Sequence, residues 1–101
     1  MNYLGVEVPP EAVAEFCRRH HIRRLSLFGS ILRDDFRPES DVDVLVEFER
    51  GHVPGLLRIA GMEDELSGIL GRKADMRTAA ELSRQFRERV LREAQAQYVN
   101  A

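Results

Sequence analysis

The eight residues from Asp41 to Phe48, DVDVLVEF, constrain the fold more than any other stretch of this chain. Strict period two puts Val42, Val44, Val46 and Phe48 on one face and Asp41, Asp43, Leu45 and Glu47 on the other. That is the pattern of a β-strand with one face on a core. Asp41 and Asp43 then project from the same face, with Cα atoms about 6.5 to 7 Å apart at the usual strand rise. Their carboxylates repel each other. A solvated face tolerates such a pair, but the pair is most useful with a cation between its members, because hard oxygen ligands at this separation can share one or two magnesium ions.

The flanking stretches build a sheet around that strand. RRLSLF, Arg23 to Phe28, is short, alternates Leu25 and Leu27 against Ser26 and Phe28, and ends sharply at Gly29, which predicts a strand. Upstream, EAVAEFCRRHHI follows Pro9-Pro10 and sets Val13, Phe16, Cys17 and His20 on one helical stripe, with Pro10 in the first turn. After RGHVPG, a second amphipathic helix is expected from Leu56, Ile59, Ala60, Leu66 and Leu70, widened by Leu57 and Met62 and stopped near Gly71. KADMR, Lys73 to Arg77, is a strand candidate with Asp75 facing away from Ala74 and Met76. Thr78 and Glu81 form a capping box for a last helix carrying Leu82, Phe86, Val90 and Ala94, which frays near QYVNA. The order helix, strand, strand, helix, strand, helix predicts an α/β (α+β) fold, a small mixed sheet covered on one face by helices. At 101 residues, positions 1–101 are expected to form one domain.

Charge and cysteine usage exclude several function classes. A formal net charge of −2 argues against holding nucleic acid by bulk electrostatics, so no direct nucleic-acid binding is expected. The lone Cys17 cannot form an internal disulfide and reads as a buried thiol in a reducing compartment. MNYLGVEVPPEAV lacks the basic head and apolar run of a signal peptide. No apolar stretch approaches the roughly 20 residues of a membrane span. A cytoplasmic, soluble protein is expected.

If KADMR lies beside DVDVLVEF, about 4.8 Å away, Asp75 adds a third carboxylate to the aspartate face. Three convergent aspartates are the protein half of a two-metal site. Gly29-Ser30 supplies the complement: glycine lets backbone N–H groups approach a ligand, Ser30 adds a hydroxyl, and Arg33 follows as a phosphate contact. A phosphate-holding turn beside a magnesium-holding strand describes a nucleoside-triphosphate site. The remaining polar residues have ordinary readings. Asp34, Asp35 and Glu39 solvate a loop; Glu47 is either a solvated edge position or a carboxylate supporting the metal ligands, and Arg72-Lys73 either a charged strand entrance or a phosphate contact. His20-His21 lack partners at metal-ligand spacing and read as a helix C-terminal cation and a packing residue.

Gly29-Ser30, ten residues, then Asp41-Val42-Asp43 resembles the Gly-Ser-x10-Asp-x-Asp signature of the nucleotidyltransferase superfamily to which DNA polymerase beta belongs. LFGSILRDDFRPESDVDVLVEF more closely resembles the minimal nucleotidyltransferases encoded beside HEPN-domain toxins, in length as well as in motif. The similarity covers at least Leu25 to Thr78, because GRKADMRT resembles the family's later strand with its third aspartate. The resemblance implies that Gly29 and Ser30 contact the triphosphate. It also implies that Asp41 and Asp43 bind magnesium, and that Asp75 completes the metal site and accepts the proton of the attacking hydroxyl. By the same resemblance the substrate is ATP with two magnesium ions, the partner is a HEPN ribonuclease toxin in a hetero-oligomer, and AMP passes to a toxin tyrosine. Relatives read Gly-Ser-Arg-Ala-Arg-Gly where this chain has Gly29-Ser30-Ile31-Leu32-Arg33-Asp34, so one basic side chain and one glycine are missing beside the phosphates.

Three functions are consistent with these residues. The first is the enzyme just described. The second is a binding module of the same fold that silences a toxin by occlusion, for which Ser30, Asp41 and Asp43 are unnecessary. The third is transfer to a small molecule, for which 101 residues leave little material for a separate acceptor pocket.

Overall fold

A computed structural model describes residues 2–3, 5–33 and 35–100. Asp34, read above as a loop carboxylate, lies outside the described residues. In chain order the elements are β1 (Asn2–Tyr3), β2 (Val6–Glu7), α1 (Pro10–Arg19), β3 (Ile22–Phe28), a 3-10 turn (Gly29–Leu32) and β4 (Val42–Phe48). They continue with α2 (Leu56–Leu70), β5 (Ala74–Arg77), a second 3-10 turn (Ala79–Glu81), α3 (Arg84–Glu93) and β6 (Gln95–Val99).

The period-two stretch becomes β4, which pairs with β3 on one side and β5 on the other in a sheet ordered β5-β4-β3-β6. β3 is antiparallel to both β4 and β6, whereas β4 and β5 run parallel. A parallel pair cannot be joined by a hairpin, and α2 is the crossover that carries the chain back. Gly71 ends α2 in the left-handed conformation at φ 70°, the conformation a glycine C-cap adopts without strain.

One face of the sheet carries Leu25, Leu27, Val42, Val44 and Val46 against Val13, Phe16 and Cys17 of α1 and Met62, Leu66 and Leu70 of α2. Glu65 of α2 ties the two helices by bonding Arg19 and, at 2.8 Å, His20 Nε2. These two bonds hold its carboxyl below the usual glutamate range.

Several expectations are corrected. The sheet is covered on both faces: Phe28 and Leu45 pack with Leu82, Val90 and Ala94 in a second, smaller cluster. β3 is therefore buried on both sides from Leu25 through Phe28, and Ser26 is 4% exposed despite its place on the polar register. The capping box at Thr78 and Glu81 forms, but it opens only the short Ala79–Glu81 turn, and α3 starts afresh after Ser83. Within QYVNA, whose Ala101 lies outside the described residues, Gln97 to Val99 do not fray. They fall within β6, paired to β3 with Leu25 opposite Tyr98, because the open edge of β3 offers hydrogen bonds that a helix end in water does not. Leu56 and Leu57 are 87% and 92% exposed and lie off the core stripe of α2, which runs through Met62, Leu66 and Leu70. The hairpin of β1 and β2, for which the chain shows no periodic signal, buries Val6 and Val8 against the main core. Among the described residues no helix is long and apolar enough to cross a membrane.

Candidate active site

Parallel pairing sets Asp43 directly beside Asp75, with Val42 beside Ala74 and Val44 beside Met76. On the other flank, antiparallel pairing sets Phe28 beside Asp43. Gly29, the residue after Phe28, therefore arrives at the Asp43 carboxylate. It does so at φ 78°, and a Cβ built there would overlap Asp43 Oδ2 and lie 3.1 Å from its Cγ. Only glycine fits both the dihedral and the space. Gly29, Ser30, Ile31 and Leu32 form one 3-10 turn, closed by the Arg33 N–H donating to the Ser30 carbonyl at 2.9 Å.

Electrostatically Asp75 and Asp41 act on Asp43. Burial first, then the charges of Asp75 and Asp41, push Asp43 above the usual carboxylate range, while Arg77 and Arg33 oppose the shift. An all-oxygen cluster whose mutual repulsion is resolved by a positive charge fits a hard divalent cation such as magnesium. Asp41 sits one residue before β4 and is half-buried. Arg33 is exposed and pairs with Asp35 at 3.3 Å. Ser30 is half-buried in its turn. The structure thus gathers Gly29, Asp41, Asp43 and Asp75 at one end of the sheet, with Arg33 near enough to act on Asp43.

Other parts of this arrangement escaped the sequence reading. Arg77, two residues beyond Asp75 and on the same face, grips the Asp75 carboxylate with both arms, Nε to Oδ1 at 3.2 Å and Nη2 to Oδ2 at 3.3 Å. Alternation along KADMR already placed the two together, but not their pairing. Arg72, read as a strand entrance, donates to the carbonyls of Arg37 at 2.9 Å and Ser40 at 2.5 Å and stacks over Phe36 at 4.7 Å. It clamps the loop that delivers Asp41. On the outer edge of β5, Ser67 Oγ accepts the Ala74 N–H at 2.9 Å and Glu63 accepts the Met76 N–H at 2.7 Å. Both partners come from α2 and hold the backbone on either side of Asp75.

Glu47 shares the aspartate face but pairs with Arg23. It does not reach the cluster. Along β4 from Leu45 toward Phe48, away from the aspartates, the space between the sheet and α3 opens into a cavity of about 370 Å³ lined by Arg24, Ser26, Leu45, Glu47, Thr78 and Leu91, among others. Its walls are mostly apolar side chains from elements that meet only in the folded chain.

A further correction concerns His21. Among the described residues, the one set of three potential ligands whose donor atoms all lie within 4.8 Å of one another is His21, Glu49 and His52, at the opposite end of the sheet. His21 does have partners at metal-ligand spacing, supplied by a turn 28 residues later in the chain. The three aspartates stand farther apart than that.

The nucleotidyltransferase domain family matches residues 10–96 of the chain. The protein adenylyltransferase MntA of Thermococcus cleftensis is 35% identical over 79 residues, which cover 78% of this chain and 78% of that protein. A solved structure described as a minimal nucleotidyltransferase is 42% identical, spans 84% of this chain and 85% of its own, and superposes with a TM-score of 0.69. The crystal structure of a toxin–antitoxin with AMP-PNP superposes with a TM-score of 0.71 over 90% of this chain and 73% of the other. At 15% identity that is a likeness of fold.

Proposed function

The chain belongs to the nucleotidyltransferase domain family, and on that premise we propose that it is an antitoxin that transfers AMP from ATP to a tyrosine hydroxyl of a HEPN ribonuclease toxin. Support for protein as acceptor comes from a relative named as a protein adenylyltransferase. Support for a toxin partner and an adenine nucleotide comes from the fold shared with a toxin–antitoxin holding AMP-PNP. The observation that carries the reading is the register of Asp43 beside Asp75 with Gly29 closed down on Asp43. A mere docking domain has no use for three carboxylates gathered at one sheet end with a glycine turn closed on the central one.

In this reading the backbone of Gly29 and the hydroxyl of Ser30 orient the triphosphate, and Arg33 balances its charge. Asp41, Asp43 and Asp75 would hold magnesium, which when bound supplies charge neutralisation along the triphosphate and lowers the pKa of the attacking hydroxyl. The tyrosine oxygen forms a bond to the α-phosphorus, the bond from that phosphorus to the bridging oxygen breaks, and pyrophosphate leaves. Asp75 takes the tyrosine proton, which requires Arg77 to release it. Most of the acceleration comes from positioning and electrostatics, because no side chain is consumed. The cavity that begins at Leu45 offers a flat ring, base or tyrosine, an apolar surface to lie against.

A second reading, neutralisation by occlusion alone, is favoured by one observation: Arg77 already neutralises Asp75. Intact-mass measurement of the toxin separates the two after incubation with this protein, ATP and magnesium. An adenylylated tyrosine supports transfer. An unmodified toxin, inhibited equally by wild type and by Asp41→Asn, Asp43→Asn and Asp75→Asn, establishes occlusion.

A further inference from the structure

At the end of the sheet remote from the aspartates, a hollow of about 250 Å³ is bordered by His21, His52, Val53, Pro54 and Arg58, among others. Two turns meet there. His21 follows α1 in the left-handed region at φ 56°, and Gly51, in the turn after β4, adopts the same region at φ 83°. The Glu49 N–H donates to the His21 carbonyl at 2.7 Å, and the His52 N–H to the Glu49 carbonyl at 3.0 Å. The backbone so tied brings three side chains together: the His21 and His52 rings stack with centroids 3.9 Å apart and 17° between planes, and His21 Nδ1 lies 3.7 Å from Glu49 Oε1.

We propose that His21, Glu49 and His52 bind a divalent cation of the zinc class, with three protein ligands and a fourth position open to the hollow. Two imidazoles and one carboxylate are a borderline donor set that favours zinc, cobalt or nickel over magnesium. This separates the site chemically from the aspartate face. An ion held at about 2.0 to 2.2 Å from each donor needs donor atoms about 3 to 3.5 Å apart. All three donors already stand within 4.8 Å of one another. Closing the difference requires the two stacked rings to rotate apart so that their in-plane nitrogens converge, a motion open to His21 and Glu49, whose side chains are 47% and 35% exposed. Ile22 pairs with Phe48 and Phe28 with Asp43, so the site lies about 20 Å along the strands from the aspartates. Its occupancy locks the turn after α1 to the segment leading into α2, which carries the exposed Val53 and is followed by the exposed Leu56 and Leu57 of the first turn of α2.

The test uses the full chain without an affinity tag, stripped of metal and kept in excess magnesium so that the aspartate face is occupied. Titration with zinc chloride in a calorimeter is expected to show one ion per chain. Cobalt in its place is expected to give the intense visible bands of a four- or five-coordinate ion. Glu49→Gln and His52→Gln should each weaken zinc binding at least about tenfold and leave the thermal midpoint of the metal-free protein unchanged. Ring-proton NMR of the wild type provides a measurement independent of any variant: zinc should move the His21 and His52 signals and spare His20. Zinc binding that fails to saturate, survives both substitutions, or leaves the His21 and His52 signals in place overturns the proposal. It would reduce the cluster to a stacked pair beside an exposed carboxylate.

Discussion

Gly29 and Asp43 share one small volume: a Cβ on the glycine would overlap the aspartate's Oδ2, and its φ of 78° already disfavours any side chain. The turn that would hold phosphate and the carboxylate that would hold metal are therefore packed on each other, and a change in one moves the other.

Gly29→Ala is expected to destabilise the fold by about 1 to 3 kcal/mol, the usual cost of a side chain held in a left-handed conformation at a functional turn. Because relief of the overlap displaces Asp43, nucleotide transfer should fall further than stability does. Urea unfolding and transfer rate, measured on the same preparation, check this. A variant that keeps full activity at reduced stability would show that the close approach serves the fold only.

Asp41→Asn, Asp43→Asn and Asp75→Asn should each reduce transfer at least about a hundredfold, as loss of a charge-stabilising group does. Combined, they should fall far short of additivity, since removing one carboxylate already spoils a shared site. The Asp41→Asn, Asp43→Asn pair should still fold, because it removes charge repulsion from a partly solvated face. Calorimetry with magnesium-ATP is the readout. Undiminished affinity in that pair refutes the assignment.

Arg72→Ala releases two carbonyls and one aromatic contact from the loop before Asp41. A loss of about 1.5 to 3 kcal/mol is expected for charged hydrogen bonds of this kind. The magnesium requirement for half-maximal activity should rise, while Arg72→Lys, which keeps the charge but not the fork, recovers only part of either effect. An unchanged magnesium dependence would confine Arg72 to a structural role.

Burial pushes the Cys17 thiol up to about 12 from its ordinary 9.0. The folded state thus holds that proton more tightly than the unfolded chain. The resulting stability is fully present below pH 9 and is lost as pH climbs toward 12. Cys17→Ala should flatten the stability curve across that window, at the expense of a small cavity at all pH values. Thiol reagents at neutral pH should modify Cys17 only as fast as the protein opens. Immediate reaction of the native protein would contradict the burial.

Local rules were enough for what lies within a few residues. Alternation along DVDVLVEF gives a strand whatever surrounds it, because successive side chains of an extended chain point to opposite faces. Gly29 after an apolar run announces a turn, and Asp75 between Ala74 and Met76 announces its face. Tertiary structure decided everything that needs two distant segments at once. Asp43 lies opposite Asp75 only through the parallel register that α2 permits. β6 exists only because β3 has an edge to satisfy, and Glu63 and Ser67 matter only because β5 has another. Arg72 finds its carbonyls 32 and 35 residues back in the chain. Glu49 and His52 reach His21 because two turns close on the same end of the sheet. A periodic pattern records which way a side chain points, and only chain closure, which no window of sequence contains, determines what stands there to meet it.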